Sequence, residues 1–75
     1  MTPIDVIEAL VIVRRYNARV TFDPRSVMVE RWTSSPTPDE KGRYPCFWET
    51  VAKEDTFVRA VKAAVAACGW ERMKR

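Results

Sequence analysis

The side chains of this chain that could act as nucleophiles or bases are Cys46, Cys68, Tyr16, Tyr44 and the ten carboxylates, and no histidine is present to activate them. Catalysis by such a group needs a companion that moves its proton, and none of these residues has a recognisable one in the sequence. Two cysteines without histidine also fall short of the usual zinc patterns. Cys68 falls at the end of a helical stretch, where the negative end of the macrodipole disfavours a thiolate, so it reads as a small core residue. The expectation is a protein that is not an enzyme and has neither metal nor cofactor.

The residue types that remain are those of molecular contact: three Trp, three Phe, two Tyr and 13 Lys or Arg against 10 Asp or Glu. A net charge of +3 is too small to announce a nucleic-acid binder by itself. A hydrophobic content of 47% indicates a folded chain, and 75 residues allow one thin-cored domain over residues 1–75. The N-terminus has no basic leader region, and Asp5 and Glu8 interrupt its apolar residues. Neither a secretory signal nor a membrane span is expected, and a reducing cytoplasm with free thiols is.

The element most clearly written is a helix over 54–70. Phe57, Val61, Ala64, Val65 and Cys68 recur at the helical period, with Asp55, Arg59, Lys62 and Ala66 opposite. Glu54 or Asp55 is expected to cap it, Asp55 and Arg59 to pair, and Gly69 to stop it with Trp70 folding back towards Val65. A first helix starts at Thr2-Pro3 and runs to about Tyr16, with Asn17 as a left-handed cap. Its expected inner face is Val6, Ile7, Leu10 and Val13, flanked by Ile4 and Val11. Asp5, Glu8 and Arg15 form its polar stripe, within which Ile12 would only widen a surface patch.

Residues 18–22 and 27–32 alternate with period two around the turn Asp23-Pro24-Arg25-Ser26, which predicts a hairpin. A four-residue loop pairs Phe22 with Val27, so Val20, Phe22, Val27 and Val29 share the core face. Arg19, Thr21, Met28, Glu30 and Trp32 take the other. Residues 33–45, with three Pro, one Gly, two Ser and four charges, read as a flexible surface loop. A third strand follows over 46–52, with Cys46, Trp48 and Thr50 assigned to the helices and Phe47, Glu49 and Val51 to the outer face. Residues 71–75 read as a solvated basic tail. Leu10, Phe22, Val29 and Val61 are expected to carry the core.

The predicted fold is α+β: an α-β-β-β-α domain with both helices on one face of a three-stranded antiparallel sheet. Thr56 followed by Ala60, Ala63 and Ala64, within that element order, resembles the double-stranded-RNA-binding domain and its alanine-rich second helix. That resemblance implies the layout alone. Phe57 and Val58 stand where the family has phosphate-clamping lysines, and the hairpin turn lacks the family's Gly-Pro-x-His, so no functional residue carries over.

A two-layer protein leaves one sheet face open, and the apolar and cationic residues assigned to it are Trp32, Met28, Phe47, Arg19 and Val51. They are the expected partner-binding residues of a small protein-binding module or homodimer. In size and style it resembles inhibitors and adaptors of phage and mobile elements, including anti-CRISPR proteins. The alternative is a nucleic-acid-binding accessory protein using Arg14, Arg15, Arg25 and Arg31, with Trp32 or Phe47 as stacking surfaces.

Overall fold

Asp5 caps the first helix, accepting the Glu8 backbone N–H on its carboxylate at 2.7 Å, and α1 runs over Val6–Arg15. The chain, described over residues 3–72 in a computed structural model, therefore takes its cap from Asp5, while Thr2 lies outside the described residues. Arg14 and Arg15 close the helix at its negative end. Asn17, with a φ of 51°, reverses the backbone there, and the Ala18 N–H bonds back to the Val13 carbonyl at 2.9 Å.

The three strands are β1 (Arg19–Phe22), β2 (Val27–Ser34) and β3 (Cys46–Glu54), antiparallel in the order β1-β2-β3. Asp23 and Ser26 exchange backbone hydrogen bonds across the turn, and Phe22 pairs with Val27 as the four-residue loop requires. Residues 35–45 connect β2 to β3. Their ends are held by the Ser35 N–H on the Pro45 carbonyl, and the Asp39 carboxylate accepts the Lys41 and Arg43 backbone N–H groups.

Thr56 caps α2 (Phe57–Cys68) with its hydroxyl on the Arg59 N–H, a role expected of Glu54 or Asp55. Asp55 instead holds the Arg59 guanidinium at 3.2 Å through both carboxylate oxygens. Gly69 takes the left-handed conformation, and the Trp70 N–H folds back to the Val65 carbonyl. Element order and sheet are those predicted, a small α+β fold.

Alanines set how closely the layers approach. α2 lies across β2 and β3, and α1 packs beside α2. Ala52, Ala60, Ala64 and Ala9 are all buried at the contacts, together with Ile4, Ile12, Val27, Val29 and Val61. Small residues on both partners bring backbones together and leave no room between sheet and helix for a large side chain.

The face of α1 is the principal departure from the sequence pattern. Ile12 is 1% exposed, whereas Leu10 is 51% exposed and Val6, Ile7 and Val11 also face outward. Phe22 shares the core face by register but sits at its rim, exposed. Of the four expected core carriers, only Val29 and Val61 are buried. The inward turn of α1 takes Glu8 with it. Its carboxylate, almost wholly buried, meets Arg72 in two hydrogen bonds of 2.9 and 2.8 Å. Arg72, assigned by sequence to the solvated tail, is thus bound, and the Glu8 hydrogen bond raises its guanidinium pKa. Tyr16 stacks on Trp70 with ring centroids 4.9 Å apart, and its hydroxyl accepts the Glu71 N–H, so residues 69–72 strap across α1. Met73, Lys74 and Arg75 lie outside the described residues.

Candidate functional site

The hairpin parity places Arg19, Thr21, Met28, Glu30 and Trp32 on the sheet face opposite the helices, as the turn chemistry predicts. Glu30 is their hub. It accepts the Arg19 Nε–H at 3.1 Å and the Thr21 hydroxyl at 3.0 Å. Trp32 projects from this face, 56% exposed.

β3 is turned over relative to its predicted facing. Val29 pairs with Ala52 and the next residue, Glu30, pairs with Thr50, so Val51 is an extra residue on β3 that shifts the register. Beyond it Trp32 pairs with Trp48, and the two rings meet edge to face with centroids 5.3 Å apart. The Arg19 guanidinium lies 4.5 Å from the centre of the Trp48 ring. Trp48 thus belongs to the open face, with Cys46 and Thr50. Phe47, opposite Thr33, lies on the other face, and Val51 packs against the core. Both leave the expected binding set. The cause is the extra residue: Trp48 and Ala52 would share a face in a regular strand, and the bulge at Val51 lets Ala52 pack in the core while Trp48 turns out. The long connection over 35–45 and the bulge leave the β2–β3 register unwritten in the local sequence, so the Trp32–Trp48 pair had no signal there.

The open face therefore presents Trp32, Trp48, Arg19 and Met28, with Arg19 held by Glu30, which also accepts the Thr21 hydroxyl. The hydrogen bond from Arg19 lowers the Glu30 pKa, opposed by burial and reinforced by the Thr21 hydroxyl. A carboxylate whose folded pKa lies below its unfolded value stabilises fully above that unfolded value, and the contribution is lost as pH falls through the folded pKa. The stability difference between wild type and Glu30→Gln is expected to shrink as pH drops below the ordinary carboxylate range. Denaturant titrations at a series of pH values check this, and a constant difference from neutral to acid would contradict it.

The four arginines of the nucleic-acid alternative do not converge. Arg14 and Arg15 end α1, whereas Arg25 sits in the turn beyond the far end of β1. Arg31 pairs across strands with Glu49 on the face opposite Trp32, its Nη2 donating to Glu49 at 3.2 Å and its Nε buried without a partner. Four guanidiniums, those of Arg19, Arg31, Arg59 and Arg72, are held by carboxylates.

Both thiols are free, Cys46 exposed with its Sγ 3.9 Å from the Tyr44 carbonyl and Cys68 half-buried. Among the described residues no three His, Cys, Asp or Glu side chains gather into a metal-binding group, and no helix is long and apolar enough to cross a membrane. Among the described residues, two clefts are mainly apolar. One, of about 450 Å³, lies between α2 and the C-terminal strap against Val65, Ala66 and Trp70. The other, of about 380 Å³, separates α1 from β1. Sequence periodicity missed the second because it assigned Val6 and Leu10 to the core.

No protein-family model matches the chain, and no curated protein or solved structure matches it either.

Proposed function

We propose that this protein is a non-enzymatic binding module that engages another protein through the open face of its sheet, with Trp32 as the anchor. One observation carries the reading: Trp32 stands exposed on a face where Trp48, Arg19 and Glu30 hold one another in fixed positions. Tryptophan and arginine are the side chains most often found to dominate interface energetics, and prior ordering removes part of the entropy cost of binding. The pairing of Arg19 with Glu30 favours a protein surface over a phosphate backbone, since a phosphate would have to displace that carboxylate. A chain of 75 residues with such a face fits a stoichiometric inhibitor or adaptor of the anti-CRISPR style, acting in the cytoplasm.

Capture experiments with the immobilised protein, with and without nuclease, test this reading. Binding is expected to survive nuclease, and Trp32→Ala is expected to weaken it by about 2 kcal/mol or more, while loss of the Trp32–Trp48 pair lowers the melting temperature by about 5 °C and leaves the domain folded. Replacing Arg14, Arg15 and Arg25 together by Ala is expected to have a small effect. Capture that is lost with nuclease, dominated by the arginines and steeply salt-dependent, would instead establish a nucleic-acid ligand. Unfolding by Trp32→Ala would place the tryptophan in the core.

A further inference from the structure

The cleft between α2 and the C-terminal strap has Ile4 and Pro3 on one side, Val65 and Ala66 of α2 on another and Trp70 of the strap on a third. Its volume of about 450 Å³ lies within the roughly 300–1,000 Å³ of small-molecule sites. The Trp70 wall is fixed in advance. The indole stacks on Tyr16 with the planes 6° apart, the Trp70 N–H bonds to the Val65 carbonyl at 3.2 Å, and the Glu71 N–H bonds to the Tyr16 hydroxyl at 2.7 Å. Tyr16 does not line the cleft, so the indole meets Tyr16 on one side and the cleft on another. A wall that is already ordered costs a ligand little entropy, and an indole side without a stacking partner suits a second flat ring.

The charges that line this cleft are both positive, Lys62 and Arg72. Arg72 is engaged with Glu8. Lys62 is exposed and in no ion pair among the described residues, although Glu54 lines the neighbouring hollow with it. No carboxylate lines the cleft among the described residues: Glu71, exposed between Trp70 and Arg72, is not part of it. Met1, Thr2, Met73, Lys74 and Arg75, outside the described range, bring no acidic side chain either. Lys62 stands one helical turn before Val65 and Ala66, so its ammonium is within a side-chain length of a ring laid against them.

We propose that this cleft binds a small aromatic carboxylate, with its ring against Trp70, Ile4 and Val65 and its carboxylate on the Lys62 ammonium. An aromatic cation would meet like charge there, and a neutral ring would forgo the charge-assisted hydrogen bond. The site lies in the helix layer, on the side of the sheet away from Trp32, and does not depend on the function proposed for that face.

Three probes of one shape separate ring from charge: indoleacetate, indoleacetamide and tryptamine. Added to the isotope-labelled full chain, indoleacetate is expected to shift the nuclear magnetic resonance signals of the Trp70 indole and the Val65 and Ala66 amides saturably, with a Kd on the order of 1 mM. Tryptamine is expected to bind about tenfold more weakly, with indoleacetamide between the two. Lys62→Glu is expected to reverse the order of the two charged probes, and Ala66→Phe to fill the cleft and abolish the shifts. Signals that fail to saturate by about 10 mM, equal affinity for the three probes, an order unchanged by Lys62→Glu, or shifts centred on Val6, Leu10 and Phe22 would each overturn the proposal. Should Ala66→Phe fail to fold, the order of the charged probes with Lys62→Glu decides alone.

Discussion

Ile12→Ala is expected to destabilise the fold by about 2–5 kcal/mol, while Leu10→Ala in the same helix is expected to cost less than about 1 kcal/mol. Ile12 is buried in one cluster with Ala9, Ala60, Ala64 and Val61, and its truncation leaves a cavity that helices already in close contact cannot fill by moving nearer. Leu10 projects outward, where truncation removes only partly buried surface. A chain of this size has roughly 4–11 kcal/mol of stability, so the Ile12 variant is expected to lose about half of it. Denaturant midpoints check the pair. Equal losses for the two variants would mean that α1 has been placed with the wrong side inward.

Arg72→Ala is expected to lower the melting temperature by about 10 °C, a large effect for a residue so near the chain end. The substitution leaves the Glu8 carboxylate inside the fold without the guanidinium that donates to both of its oxygens. A buried pair is weak evidence of net stabilisation, because both ions were desolvated to form it, yet removing one partner alone is costly. The second variant follows from that asymmetry. Combining Arg72→Ala with Glu8→Leu removes the charge and fills its place with an apolar side chain, and is expected to recover most of the loss. Thermal melts of the two variants check the claim, and a double variant less stable than Arg72→Ala would falsify it. Loss of the strap should also free Tyr16 and Trp70 from their stacking, which near-ultraviolet circular dichroism reports.

Local chemistry in the sequence determined the elements and half of the candidate site. Turn residues at 23–26 set the hairpin register and, through the two-residue period of a strand, the side on which Arg19 and Trp32 emerge. Gly69 and Asn17 marked helix ends because a left-handed residue is needed where a helix reverses. These signals act over a few residues, and no distant contact was needed to read them. Tertiary structure decided the rest, by two physical means. One was register: the bulge at Val51 lets Ala52 pack in the core with the alanines at 60 and 64, turns Trp48 out to meet Trp32, and takes Phe47 and Val51 out of the site. The other was a charge partner far along the chain. Periodicity assigned Glu8 to solvent because a carboxylate is costly to bury alone. Arg72, brought back across α1 by the strap, meets Glu8 where the helix turns Glu8 and Ile12 inward and leaves Ile7 and Leu10 exposed.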